Sequence, residues 1–230
     1  MSETPVRRAG RGGRERALAA ATGLFAKQGI TATTMEDVAA AAPVSKRTLY
    51  AHFPTKEELV LAQLDGLLHS GYTLLDTLRR ADLPPRDRLL ALFVVPPRSD
   101  GAVRGCPFIQ AAAEHPDPAD RVHALAREQK LEMLAQVTGL LDELGADEPE
   151  PLAEQLVTLS DGAVSRAMVL DDPDYGRHAR AAAETLLDLA LAAGARRGLT
   201  ATSTRAVSSA RTTSENARAD STGVVSAPPC

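Results

Sequence analysis

Lys46, Arg47, Thr48, Tyr50 and His52 lie within one short stretch of a 230-residue chain, and each carries a hydrogen-bond donor. Cations, hydroxyls and a phenol crowded this closely suit a polyanion: phosphate oxygens attract the charge, and base edges offer matching acceptors. Arg47 has the planar fork that pairs with guanine O6 and N7, and Lys46 can approach the same atoms less rigidly. Tyr50 and His52 suit phosphate contacts, the phenol being a short, rigid donor. Thr48 fits a thymine through its methyl group or a phosphate through its hydroxyl, and the sequence does not choose. Enzyme chemistry has less support. There is no glycine-rich phosphate loop after a strand, no paired-histidine metal motif and no nucleophile elbow.

Those donors need a scaffold, and the flanking residues supply one. Ser45 can cap a helix from Lys46 to about His52, with Leu49 and Phe53, four apart, as its core-facing pair. Upstream, Thr33 with Glu36 has the capping-box spacing and predicts a helix from Thr34. Its apolar residues Met35, Val38, Ala39 and Ala42 recur at helical spacing until Pro43 ends it. Thr55 with Glu58 predicts a further start after Pro54. Thr34 and Lys56 thus sit where free N–H groups and the helix dipole favour an anion, so both are expected to touch phosphate. Two short helices around a tight turn, the second rich in donors, form the arrangement that reads a major groove.

Residues 12 to 60, from RERALAAATGLFAKQGITATTMEDVAAAA through SKRTLYAHFPTKEEL, resemble the DNA-binding signature of the TetR (tetracycline-repressor-like) family of bacterial transcription regulators. The resemblance implies an all-α fold: an N-terminal three-helix helix-turn-helix domain and a C-terminal helical domain for ligand binding and dimerisation, about nine helices altogether. It implies a DNA-facing set of Lys46, Arg47, Tyr50 and His52, to which the cap and donor pattern adds Thr34, Ser45, Thr48 and Lys56 as expected DNA contacts. A cytoplasmic protein without cofactor or metal is expected, and the resemblance further implies a repressor that binds a palindromic double-stranded DNA operator as a homodimer and is released by a small-molecule effector. The chain departs from the family pattern at Pro43, where glycine is usual.

The rest of the chain is read as follows. Residues 1–11 form a flexible basic arm, 12–55 the DNA-binding domain, 56–197 the ligand-binding and dimerisation domain, and 198–230 a disordered tail without periodicity. A first helix from about Arg14 to Gln28 precedes the turn at Gly29. Apolar spacing predicts a long helix over 56–80, then helices over about 86–95, 106–114, 117–144, 150–170 and 173–195, with Asp117-Pro118 and Asp172-Pro173 as cap and first-turn pairs. The last two have broad apolar faces edged with small residues, suited to a four-helix interface with a second copy. Residues 1–60 carry nine Lys/Arg against six Asp/Glu and the remainder seventeen against twenty-four, so the basic surplus is confined to the donor-bearing end. No apolar run approaches a membrane span.

By analogy with the family, a pocket is expected between the 56–80 helix and the segments after it. Its candidate lining is His69, Tyr72, Phe93, Cys106, Phe108, Gln110 and His115. His69, Cys106, His115 and His123 contain no tight ligand pair, so no metal site is expected. A helical protein–protein adaptor without specific DNA binding is the alternative that the amphipathic stripes alone would allow.

Overall fold

Hydroxyl caps set the starts of three successive helices after α1 (Gly13–Gln28): α2 (Met35–Ala41), α3 (Lys46–His52) and α4 (Lys56–Leu68). The computed structural model describes residues 12–71, 73–94 and 105–219, with 198–219 as backbone alone. The basic arm at 1–11, Tyr72 and residues 220–230 lie outside the described residues. Thr34 Oγ1 accepts from the Asp37 N–H at 3.1 Å, and Asp37 Oδ2 accepts from the Thr34 N–H at 2.9 Å. The capping box is therefore one residue further on than the Thr33–Glu36 pairing expected. Thr33 is buried, and its hydroxyl is committed to the Gly29 carbonyl at 2.7 Å. Ser45 and Thr55 accept from the Thr48 and Glu58 N–H groups, both at 3.1 Å. Each such cap contributes about 1 kcal/mol to a helix too short to persist alone.

The turn between α2 and α3 carries Pro43 at a φ of 26°. That is the side of conformational space where glycine is at ease and a pyrrolidine ring is strained. The geometry follows the turn a glycine would make, at a residue poorly suited to it.

Ala17, Ala21, Phe25, Val38, Leu49, Phe53, Leu59 and Val60 form the core of this end. Phe108, Ala111, Val122 and Ala126, far downstream, belong to the same apolar mass. They come from α7 (Pro107–Glu114) and the first turns of α8 (Arg121–Glu143). The DNA-binding unit is thus completed by residues of α7 and α8, well downstream of it.

The helix expected over 56–80 is two helices. α4 stops at Leu68, Gly71 turns the chain at a φ of 78°, and Thr73 with Asp76 makes a fresh capping box that starts α5 (Leu74–Leu78). Next come α6 (Pro85–Leu90) and a 3-10 turn, Ala91–Phe93, in place of a single helix to residue 95. α8 starts at Arg121 rather than after Asp117. Asp120 caps it by accepting from the Val122 N–H at 2.7 Å, while Asp117 closes a local turn onto the Ala119 N–H at 2.9 Å. α9 spans Pro149–Leu170. Asp172 caps a 3-10 turn, Pro173–Tyr175, from which α10 (Gly176–Ala219) departs.

α10 continues well beyond residue 195. No proline interrupts 176–219, and extending an established helix avoids the cost of nucleation, so backbone that was expected to be irregular from 198 is helical to Ala219. The described residues form ten α-helices and no strand. A second core joins α5, α6, α8, α9 and α10 through Leu75, Leu89, Leu92, Met133, Leu141, Leu156 and Leu187. α10 approaches the α8–α9 turn so closely that a Cβ on Gly194 would lie 2.1 Å from the Gly145 carbonyl oxygen. No helix among the described residues is long and apolar enough to cross a membrane.

Candidate nucleic-acid interface and ligand cavity

Leu49 is fully buried and Phe53 nearly so, which pins the inner face of α3 and turns its other residues outward. Burying those two side chains is worth about 1.5–3 kcal/mol each. Ser45, Lys46, Arg47, Tyr50 and His52 are exposed, with Tyr50 at 43%. Arg47 makes no hydrogen bond or ion pair among the described residues, so its guanidinium is available to an incoming acceptor. Lys46 has a partner: its ammonium lies 2.9 Å from Glu36 Oε1 on α2. The shared hydrogen bond and opposite charge raise the lysine pKa and lower that of the glutamate. Both groups are well exposed, so a phosphate or base can compete for the lysine.

Ser45 Oγ and Thr48 Oγ1 lie 2.7 Å apart, and Thr48 is half-buried against the start of α1. His52 leans over the same place: a Cβ on Gly13 would lie 3.4 Å from its Nε2. The pair forms a seam between α1 and α3. Thr34 Oγ1 donates to Asp37 Oδ2 at 2.7 Å, and the Asp37 carboxyl is held below its ordinary range by the Thr34 N–H and hydroxyl. Lys56, at the start of α4, donates to the Thr31 carbonyl ahead of α2 at 3.1 Å. The eight DNA-facing candidates therefore lie on or beside α3, at the ends of α2 and α4. Two of them, Lys46 and Lys56, also brace the scaffold.

The turn ahead of α2 is gripped from the other half of the molecule. Glu114, at the C-terminal end of α7, accepts from the backbone N–H groups of Ile30, at 2.9 Å, and of Thr31. Burial pushes this carboxyl up, but the Thr31 and Ile30 N–H groups outweigh it, with Gln110 adding a further bond, and leave its pKa lowered. A second tie joins Arg121 of α8 to Glu57 of α4 at 3.2 Å.

α7 has a different neighbour at its N-terminal end. A cavity of about 280 Å³ opens there, walled by Leu67 of α4, Leu74 of α5, Phe108 of α7, Met133 of α8 and Val164 of α9. Of the pocket candidates, Cys106 and Phe108 line it. Gln110 instead faces a smaller space of about 160 Å³ between α1, α4 and α7, beside Phe25 and Gln63. His69 is largely exposed and donates to the Asp65 carbonyl at 2.9 Å, away from the cavity. Phe93 is buried in the second core. His115 Nδ1 lies 3.0 Å from Asp120 Oδ2 at the start of α8, and His123 Nδ1 donates to the His115 carbonyl at 2.8 Å. These three candidates serve structure where they stand. The sequence reading did not single out Gln129, Lys130 or Asp161 of the cavity wall, nor Glu114. In a linear pattern each looks like ordinary helix polarity, and the long-range pairing of Lys130 with Asp161 has no local signature.

Comparison with known proteins agrees with this architecture. Residues 17–62 match the family model described as bacterial regulatory proteins, tetR family, and residues 85–183 match the one described as tetracyclin repressor-like, C-terminal domain. The HTH-type transcriptional regulator YjdC of Escherichia coli (strain K12) is 30% identical over 161 residues, 68% of this chain and 83% of that protein. The HTH-type transcriptional repressor KstR2 of Mycobacterium tuberculosis is 35% identical over 74 residues, 32% of this chain and 37% of the other. The crystal structure of SCO4454, a TetR-family transcriptional regulator from Streptomyces coelicolor, shares 30% identity and superposes with a TM-score of 0.71, covering 78% of this chain and 96% of that one. With two successive family matches, a relative aligned over most of its length and a capped helix-turn-helix, the chain belongs to the TetR family of DNA-binding, helix-turn-helix transcriptional regulators.

Proposed function

We propose that the chain is a repressor that binds a palindromic operator as a homodimer and is released by a small-molecule effector. The observation that carries the reading is α3, whose unpaired Arg47 and exposed Tyr50 stand on a helix fixed from beneath by Leu49 and from its start by Ser45. Arg47 reads guanine, Lys46 exchanges Glu36 for a base or phosphate, and Tyr50 and His52 hold phosphates. Ser45, Thr34 and Lys56 line the backbone track at helix starts, with Thr48 between the two roles.

One α3 spans only a few base pairs, so discrimination needs two copies about 34–36 Å apart, one helical turn of DNA. An apolar groove between α9 and α10, lined by Leu159, Ala182 and Leu186 with Leu189 exposed nearby, supports pairing through these two helices. Repression is supported by the likeness to the repressor KstR2 over 74 residues.

Release follows from α7. One end of this helix walls the larger cavity, and the other holds the turn ahead of α2 through Glu114. An effector that displaces α7 would shift the pair of α3 helices out of register. A hundredfold loss of operator affinity needs a coupling of about 2.7 kcal/mol.

The test is a mobility shift on the DNA upstream of the chain's own gene at two salt concentrations, with footprinting of any retained band. A symmetric footprint and steep weakening with salt are expected. Retention of no promoter fragment would favour the protein–protein adaptor.

A further inference from the structure

The smaller cavity, between α1, α4 and α7, has an amide on its wall with nothing to bind. Gln63 of α4 lines this space and is 6% exposed, and its side chain makes no hydrogen bond to any described residue. Neither polar atom of the amide is sealed in the interior, since among the described residues the one sealed side-chain oxygen or nitrogen without a partner is Gln129 Oε1. The little surface that Gln63 keeps therefore includes both atoms, and it opens on the cavity that the residue lines. A mostly buried amide left unpaired destabilises a fold, and such groups in native proteins are normally satisfied by something.

The other polar side chains of the wall are engaged. Thr22 donates to the Leu18 carbonyl at 2.9 Å, and Gln110 hydrogen-bonds Glu114. Phe25, Ile30, Leu64, Leu67 and Pro107 make the rest apolar, and among the described residues no charged side chain lines the space. An ionised ligand would be buried there without a counter-charge, which rules against carboxylates and ammonium groups. Water alone serves the amide poorly. About 160 Å³ takes on the order of five waters at roughly 30 Å³ each, and each needs roughly two to four polar partners, where the wall offers one free amide. Filled to the density of a protein interior, the same volume holds on the order of seven non-hydrogen atoms.

We infer that the smaller cavity is a second binding site, for an uncharged molecule of about that size whose donor and acceptor lie side by side, as in a primary amide or a lactam. Gln63 Oε1 accepts from the ligand N–H while Gln63 Nε2 donates to the ligand carbonyl, a two-point match that neither a ketone nor a carboxylate offers. The apolar wall takes the hydrocarbon part. The site is independent of the repressor reading and separate from the larger cavity, with Leu67 and Pro107 in the partition between them. Its occupant sits between α1 of the DNA-binding unit and α7, the helix that holds the turn ahead of α2 through Glu114.

Ligand-observed NMR titration of the full chain with three probes of matched size tests this: 2-piperidone, which carries a donor beside its acceptor; cyclohexanone, which has the acceptor alone; and valerate, which is charged. The lactam is expected to bind roughly tenfold more tightly than the ketone, because the ketone leaves the buried amide half-paired, with valerate weakest. In Gln63→Met, of similar shape and apolar, the preference for lactam over ketone is expected to vanish. Ala26→Leu, which fills the space from α1 and leaves Gln63 in place, is expected to weaken both.

Retention of no probe, equal binding of lactam and ketone by wild type, an unchanged preference in Gln63→Met, or undiminished lactam binding in Ala26→Leu overturns the assignment. Should either variant fold poorly, the side-chain amide resonance of Gln63 in the wild-type protein carries the same test. It is expected to shift on addition of lactam, and an unmoved resonance at saturation overturns the pairing.

Discussion

Replacing Glu114 by Gln tests the link between the two halves of the molecule with little change of shape. The carboxylate accepts two backbone N–H bonds from Ile30 and Thr31, across 84 and 83 residues of chain. Charge-assisted bonds of this kind contribute about 1.5–3 kcal/mol each where buried. An amide can accept only one of them, as a neutral bond, and must turn its NH2 group toward the other donor. Glu114 is half-buried, so solvent screening reduces the loss, to about 1.5 kcal/mol. For a chain of this size that lowers the melting temperature by about 3–6 °C.

The effect should depend on pH in a defined direction. The Glu114 carboxyl is held below its ordinary value of 4.5, so it contributes fully above that value and loses its contribution as pH falls through the lowered value. Thermal melts of wild type and Glu114→Gln at pH 7 and pH 3 should therefore differ at the first and differ less at the second. An unchanged melting temperature at neutral pH, or a difference of the same size at both, would refute the account of Glu114 as a charged tie. If α7 also transmits release, the variant should bind operator while responding less to effector.

Other substitutions address separate parts of the argument. Arg47→Ala should cost about 1–3 kcal/mol of operator affinity and relax preference at one base pair, as read by binding-site selection; an unchanged consensus would remove Arg47 from base reading. Gly194→Ala places a methyl group 2.1 Å from the Gly145 carbonyl, and separating α10 from the turn should cost about 1–3 kcal/mol; a chemical denaturation midpoint equal to wild type would contradict that close approach. Pro43→Gly should relieve about 1–3 kcal/mol of backbone strain and lose about 0.4–1 kcal/mol through a freer unfolded chain, for a net gain near 1 kcal/mol. Differential scanning calorimetry checks the sign, and a lower melting temperature would show the turn to be unstrained.

The donor-rich helix was legible because its determinants are local. Ser45, the Leu49–Phe53 pair and Pro54 fix α3 within ten residues, and the structure starts and stops it at the expected positions. Elsewhere local signals were degenerate. Thr33 and Thr34 are each followed three residues later by an acid, and the choice was made by burial of Thr33 against Gly29. The apolar spacing of 56–80 spans its interruption, since Val60, Leu64 and Leu78 are all buried, so periodicity alone concealed the break at Gly71. The cavity was harder still. Cys106 and Phe108 could be named from their segment, but Gln129 and Asp161 come from different helices and meet only after folding. Glu114 finds its partners in a turn that no spacing rule connects to it.

The apolar mass beneath α3 has a bearing on how such a regulator can move. Phe108, Ala111, Val122 and Ala126 sit in the same interior as Leu49 and Phe53. Excising residues 12–55 would strip that interior of one wall and leave a fragment with an open greasy side. The reading head is accordingly no independent module hung on a linker. Any rearrangement that reaches it must carry this shared wall along, so the mode of motion available is a tilt of welded parts, with small displacements beneath amplified at the tip.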